Sequence, residues 1–294
     1  MARDLTVVLG GSGDIGSVLV SQLKENQESF LAPTSKQVDL TDAQSTRIFF
    51  ASINESYSVV FAAFLDRRQG DNEQTFKLNL LMVENVVNSA NPSSLIFLSS
   101  MDVYGKTPEL PITEKTRTDD ASFYSRAKLL AESKLSQTFA GKIDLLVLRL
   151  PGVYGGQGPR NAALDRILKT GIKERLINVG DGGSLLRDWI NASDVARFLI
   201  EWLNQPKSGT YNFATGESWT IDRYIAECIS GLGDIRHEII AADEAKKSNS
   251  GADHIFDNQI FESAFTDWKF ENRLSSLKTF STLVQDHLNK AKLI

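Results

Sequence analysis

Tyr124 and Lys128 stand four residues apart in Phe123-Tyr-Ser-Arg-Ala-Lys-Leu129, downstream of Ser99-Ser-Met-Asp-Val-Tyr-Gly105. On a helix, positions i and i+4 share one face, so an ammonium at 128 can sit beside the phenol at 124 and depress its pKa toward the working pH. The phenol then becomes a usable general acid or base. A tyrosine and a lysine at this spacing also arise by chance on amphipathic helices, so the pair takes its meaning from its surroundings. Ser100 closes an apolar run, at the edge where open α/β sheets place ligands.

A second source of chemistry is the loop Gly10-Gly-Ser-Gly-Asp-Ile-Gly16. Gly10, Gly13 and Gly16 directly follow the apolar run 5–9 and open a helical segment, the context in which glycine spacing reads as a phosphate-binding turn. One glycine permits the tight turn, one lets the backbone approach a pyrophosphate, and one allows helix and strand to pack closely. Backbone N–H groups and the positive helix end, here at Asp14 and Ile15, then face the phosphates. The plainer alternative is a helix-capping loop with incidental glycines. The spacing is GxxGxxG rather than GxGxxG.

These residues need a scaffold, and its rhythm is visible. Apolar runs at 5–9, 58–63, 94–99 and 144–150 predict buried strands. Helical segments at 14–26, 42–54, 72–90 and 122–139 separate them, with Thr41 as N-cap of the second. Strands alternating with helices predict an α/β fold with a doubly wound, Rossmann-type parallel sheet. After Leu150 the stretch Pro151-Gly-Val-Tyr-Gly-Gly-Gln-Gly-Pro159 breaks the pattern. We expect residues 1–150 to form a dinucleotide-binding domain to which 174–210 return. Residues 151–173 and 211–294 are expected to form a smaller C-terminal α/β substrate-binding subdomain, with helices at 162–170, 221–232 and 274–288. A strand at 176–179, a loop at 180–183, a helix at 193–204 and a polar loop or frayed helix end at 243–253 complete the reading.

The bulk numbers exclude several function classes. At 294 residues the chain can bury a large core, and a net charge of −5 offers no basic field for nucleic acid or an anionic membrane. Cys228 is the single cysteine, which rules out an intrachain disulfide or thiolate metal cluster and fits cytoplasmic residence. His237, His254 and His287 make no pair at metal-ligand spacing, so no metal site is expected. The N-terminal apolar run is too short for a signal peptide or a membrane span, and no later segment reaches spanning length without a charge.

The glycine spacing is followed in order by Asp39-Leu40-Thr41-Asp42, Ala62-Ala63, Asn79, Ser100, the Tyr124 and Lys128 pair, Arg187-Asp-Trp-Ile190, Tyr211-Asn-Phe-Ala-Thr-Gly216 and Asp267-Trp268. Across nearly the whole chain this set resembles the extended short-chain dehydrogenase/reductase family, and within it the NAD(P)-dependent nucleotide-sugar epimerases, dehydratases and reductases. The resemblance implies NAD or NADP held by Gly10, Gly13, Asp14, Ile15 and Gly16, by Ala62, Ala63 and Pro151, and with Asp39 and Leu40 beside the adenine. It implies that Ser100 hydrogen-bonds the reacting oxygen, Tyr124 exchanges the proton, and Lys128 holds the nicotinamide ribose while favouring tyrosinate. Arg187 would bind the diphosphate of a nucleotide sugar, and Asn79 would shape the active site. Structural roles stand beside these two: an ion pair of Arg187 with Asp188 or Asp194, and a packed helix interface for Asn79. The family also implies a homodimer through the helices containing Asn79 and Tyr124. The stripe Leu78, Leu81, Met82 and Val86 permits it, although core packing explains that stripe equally well.

Cofactor choice turns on the end of the second strand, where an NAD-preferring site offers an acidic side chain to the ribose hydroxyls. Phe30-Leu-Ala-Pro-Thr-Ser-Lys36 offers hydroxyls and one cation instead. Lys36 could face a 2′-phosphate, which tilts the reading to NADP, or be a solvated loop lysine.

The two residues after Ser100 narrow the reaction. The family's sugar dehydratases carry an acidic pair there, whereas this chain has Met101 and Asp102, and a thioether cannot donate a proton. Asp102 remains available as a second base, as a ligand for a sugar hydroxyl, or as a turn cap. The cysteine and histidine of combined epimerase-reductases are also missing before Tyr124. Hydride exchange at one carbon is left, matched by proton transfer at its oxygen, in a keto-sugar reductase or a 4-epimerase. Gly152 departs from the asparagine that nucleotide-sugar members commonly place before Val-Tyr-Gly, which keeps a non-sugar carbonyl substrate open. A non-catalytic dinucleotide sensor or scaffold is the third reading, and the presence of Tyr124 and Lys128 argues against it.

Overall fold

The computed structural model describes residues 4–156, 162–178, 183–230, 232, 236–238 and 252–291. Residues 180–182 of the expected loop and 243–251 of the expected polar stretch lie outside them. The chain opens as β1 (Leu5–Leu9), α1 (Asp14–Glu25), β2 (Phe30–Leu31), α2 (Ala43–Ala51), β3 (Tyr57–Phe61), α3 (Glu73–Ser89), β4 (Ser94–Ser100), α4 (Phe123–Phe139) and β5 (Asp144–Leu150). It continues through β6 (Val153–Tyr154), α5 (Ala163–Glu174), β7 (Leu176–Asn178), β8 (Leu186–Arg187), β9 (Ile190–Asn191), α6 (Ala192–Asn204) and β10 (Gly209–Asn212). The last elements are β11 (Trp219–Thr220), α7 (Ile221–Ile229), β12 (Arg236–Glu238), α8 (Gln259–Ala264) and α9 (Arg273–Ala291).

Six strands form one parallel sheet in the order β10-β5-β4-β3-β1-β2. Every residue of β1 and β3 is buried, as strands covered on both faces must be. Alternate side chains feed two cores. On one face Val8, Val60, Ile96 and Leu148 meet Leu19 and Leu23 of α1 and Val195, Leu199 and Trp202 of α6. On the other, Val7, Leu9, Phe61 and Phe97 meet Phe50 of α2, Val83 and Val86 of α3, and Leu135 of α4. Burying each such side chain is worth about 1.5–3 kcal/mol, so this two-sided covering fixes the sheet. The order in which strands are added reverses between β1 and β3, and open sheets take ligands in the crevice beyond such a point.

Two expectations change. Thr41 does not cap α2; the Asp42 carboxylate accepts from Gln44 N and Ser45 N at 3.3 and 2.8 Å, while Thr41 donates to Asp39. An ionised carboxylate satisfies two orphan N–H groups and also meets the positive helix end, which a hydroxyl does less well. The expected boundary at 210/211 falls inside β10, which pairs with β5. Phe213, Phe261 and Trp268 then pack on Phe198 in the sheet's own core, so the chain keeps returning there. A separate smaller core gathers Tyr154, Leu164, Leu168, Trp189, Tyr224 and Phe280 between α5, α7 and α9. Among the described residues no helix is long and apolar enough to cross a membrane.

A buried polar group locks α4 to the sheet. Arg149 of β5 donates to both oxygens of Glu132 on α4 at 3.1 and 2.7 Å, and Ser99 of β4 donates to the same carboxylate at 2.5 Å. Arg149 also donates to the Tyr104 phenol at 3.0 Å, and that phenol donates in turn to Asn212 Oδ1 of β10 at 2.7 Å. Removing one member strands the other charge. Glu132→Ala is therefore expected to lower unfolding free energy by about 3–5 kcal/mol in urea denaturation, with partial recovery in Glu132→Ala/Arg149→Met. A loss below about 1 kcal/mol, typical of an exposed pair, would contradict it.

Candidate active site

The glycine loop is built from close approaches. Gly10 turns the chain out of β1 at φ +90°, and a Cβ there would lie 2.6 Å from Ala63 N at the end of β3. Gly13 N donates to Gly10 O at 2.9 Å, and a Cβ on Gly16 would stand 2.2 Å from that same carbonyl oxygen. The loop therefore lays the start of α1 across the β1–β3 crevice, and Gly13, its N-cap, supplies no side-chain cap. A cradle that a methyl group would fill, under an uncapped helix end, fits the diphosphate of a dinucleotide.

A cleft of about 610 Å³ begins at this loop, a size ordinary for small-molecule sites. Gly10, Gly13, Asp14, Ile15, Gly16 and Ala62 line it together with Ser100, Asp102, Tyr124 and Lys128, and Pro151, Gly152 and Trp189 complete the lining. Lys36 is exposed after β2, outside this lining. Asp39 is exposed too, and hydrogen bonds from the hydroxyl and N–H of Thr41 hold its carboxyl below the usual range. Leu40 faces the core beside α2 and α3, and its carbonyl accepts from Asn85 at 2.9 Å. Ala63 is half-buried beside Phe64, next to Ala62 but not in the lining.

Asn79 reaches the site indirectly. Its amide grips both backbone groups of Leu65, at 2.7 and 2.9 Å, fixing the segment that leaves β3. Arg187 donates to the carbonyls of Leu186 and Ala252 at 2.7 and 2.9 Å and does not line the cleft. The ion pairs weighed for it are made by others, Asp188 with Arg273 and Asp194 with Arg197.

Ser100, Tyr124 and Lys128 come together. Ser100 Oγ accepts from Asp102 N at 3.1 Å, starting a short turn at 101–104, and lies near enough to the Tyr124 phenol to oppose the rise in its pKa. Tyr124 lies in the first turn of α4, which Ser122 caps through Ser125 N at 3.0 Å, and its own N–H donates to Asp71 at 2.9 Å. One turn on, Lys128 donates to Leu98 O at 2.6 Å, with Nζ 3.8 Å from the Phe64 ring centre and 5.7 Å from that of Tyr124.

The electrostatics reverse one expectation. Burial, followed by the Asp102 and Asp66 carboxylates, pushes the Tyr124 phenol above its ordinary value. Burial also pushes Lys128 down to about 7. The shared helix face does bring the two side chains together, but desolvation outweighs Coulomb attraction at this depth. Asp102 is pushed up by burial, and the opposing pull of Arg67, 3.3 Å away, limits the shift.

Lining residues that went unnoticed in the sequence include Phe64, Arg67, Arg68 and Trp189. The first three sit in a stretch that carries no periodicity, and two adjacent arginines straight after a strand end were the available signal. Trp189 had no comparable signal: only the structure shows that a Cβ at 152 would fall 2.1 Å from its indole. Among the described residues, no three His, Cys, Asp or Glu side chains gather as a metal site would require.

A family model described as NAD dependent epimerase/dehydratase family matches residues 6–214. A dTDP-4-dehydrorhamnose reductase of Mycolicibacterium smegmatis is 29% identical over 169 residues, covering 56% of this chain and 51% of its own length. A probable UDP-arabinose 4-epimerase 3 of Oryza sativa subsp. japonica is 26% identical over 282 residues, covering 77% and 69%. The chain thus spans about half the length of the first of these relatives. The structure of RMD from Pseudomonas aeruginosa complexed with NADPH shares the fold, with a TM-score of 0.80 at 21% identity over 97% of this chain and 98% of the other. The family match takes in the whole sheet from β1 to β10, and the chain belongs to the NAD-dependent epimerase/dehydratase family.

Proposed function

We propose that the protein exchanges a hydride between NAD(P) and the carbinol or keto carbon of a nucleotide-activated sugar, as a keto-sugar reductase or a 4-epimerase. The observation that carries this reading is the convergence of Ser100, Tyr124 and Lys128 on the cleft that the glycine loop opens. A bound nicotinamide supplies or takes the hydride. Tyr124, its pKa raised by burial, stays protonated at neutral pH and donates to the oxygen that becomes a carbinol. The Ser100 hydroxyl steadies the charge that develops on that oxygen. Lys128, whose ammonium gives up its proton near pH 7, is placed to support the phenol from the same helix face.

The relatives are named as a dTDP-4-dehydrorhamnose reductase and a probable UDP-arabinose 4-epimerase, which supports both forms of the proposal. We favour NADP because the end of β2 lacks a carboxylate and Lys36 follows it, exposed. We further propose a cytoplasmic homodimer. Met82 and Val86 are absorbed by the core, but Leu81 on α3 and Leu130 on α4 stay exposed, at 41% and 44%. A non-sugar carbonyl substrate is favoured by one feature, the Trp189 indole occupying the space beside Gly152.

Thermal shift with NAD, NADP and the diphosphates of uridine, thymidine and guanosine tests the class. At saturating ligand, a dinucleotide and one nucleoside diphosphate should each raise Tm by roughly 5 °C. A dinucleotide shift with no response to any nucleoside diphosphate would transfer the proposal to a non-sugar carbonyl, and no dinucleotide shift would overturn it. Tyr124→Phe should lower kcat by about 100- to 10,000-fold with dinucleotide affinity retained. Unchanged turnover would remove the phenol from the reaction.

Lys128 gives a pH test of the buried cation. Its folded pKa of about 7 lies below the unfolded value, so charging it costs stability fully below pH 7, and the cost fades as pH rises toward that unfolded value. Lys128→Met should therefore be more stable than the wild type at pH 6–7, with the gain shrinking by pH 10 in urea melts. A gain that grows with pH would contradict the burial argument.

A further inference from the structure

Asp14 is the first residue of α1 and lines the cleft at the glycine loop. A carboxylate there favours the helix, yet it occupies the positive helix end that an anionic ligand would also use. Its environment does not let it turn away. A Cβ on Gly156 would lie 2.7 Å from the Asp14 Cβ, so the backbone after β6 walls it in. Oδ1 is buried and has no hydrogen-bond partner among the described residues. Oδ2 accepts from Arg68 Nη2 at 2.9 Å.

Arg68 is itself held in place. Its Nε and Nη2 donate to the Asp66 carboxylate at 3.1 and 2.5 Å, and Asp66 caps the short turn 67–69 through Arg68 N at 2.8 Å. Asn79 fixes the preceding Leu65 backbone. One guanidinium thus serves two carboxylates at the mouth of the trough where a diphosphate would lie.

We propose that Arg68 is a charge clasp for the dinucleotide: it neutralises Asp14 so that a diphosphate can settle on the glycine loop. The inference rests on the dinucleotide reading above. It makes Arg68 a positioning residue whose importance depends on Asp14, and that dependence separates it from a simple phosphate ligand.

The test is a double-mutant cycle on the full chain, read as Kd for NADP and NAD by calorimetry, with circular dichroism and Tm on each variant. Arg68→Ala should weaken binding by roughly tenfold or more, because an uncompensated carboxylate then faces the diphosphate. Asp14→Asn should bind more tightly than the wild type, and Arg68→Ala/Asp14→Asn should recover most of the loss. Arg68→Lys keeps the charge but loses the guanidinium fork, so its affinity should fall between those of the wild type and Arg68→Ala. ADP-ribose should show the same coupling, and adenosine, which lacks the diphosphate, none.

A double variant no tighter than Arg68→Ala would overturn the clasp, as would Asp14→Asn weakening binding or Arg68→Lys failing as badly as Arg68→Ala. Wild-type protein that binds no dinucleotide would sink the functional reading and this one together. Binding without coupling sinks only this one.

Discussion

The buried contact between Arg149 and Glu132 sets the geometry on which the cleft depends. Tyr124, Lys128 and Glu132 succeed one another at four-residue spacing, so they share one face of α4. Glu132 ties that face to β5 through the guanidinium and to β4 through Ser99, the residue before Ser100. A helix pinned at its middle by a charged pair in a dry core has little freedom to rotate, and rotation would carry the phenol away from Ser100. The ion pair therefore acts on orientation more than on net stability, since burying two charges costs nearly what their attraction returns.

Within the cleft, burial decides the charge states. Asp102 and Asp66 face Arg67, Arg68 and Lys128 around the same opening, yet burial outweighs these charges at the phenol. Desolvation raises it and lowers the lysine, leaving a neutral acid beside an ammonium that readily releases its proton. The segment that leaves β3 adds to this dryness, since Phe64 lies edge-on to Tyr124 and directly against Lys128.

Much of the sheet was legible because its signals are local. The runs at 5–9 and 144–150 became β1 and β5 with the same bounds, and the helices that end at Glu25, Ser89 and Phe139 stop within a residue of expectation. The glycine loop could be read because backbone sterics impose its spacing. What stayed hidden depends on distant partners. Nothing near Gly152 announces that an indole from beyond α5 will fill its place, and nothing in 64–70 shows which carboxylates its arginines will meet. Asp42 displaced Thr41 as a cap because both residues suit the position and geometry chose between them. The aromatic residues around Phe261 lack any period, so their return to the sheet had no sequence signature. The phenol's altered acidity was misjudged for a related reason: spacing reports proximity, whereas depth below the surface comes from the assembled fold.

The pairing of Gly152 with Trp189 constrains how this cleft can diversify. The indole belongs to the smaller core, where it packs on Tyr224 while the Trp189 backbone N–H donates to that residue's hydroxyl, yet it occupies volume that a side chain at position 152 would claim. The two sites must change together, the bulky partner shrinking before the small one can grow. Descendants of this sequence can thus remodel this part of the lining only along a narrow mutational route, in which the tryptophan moves first.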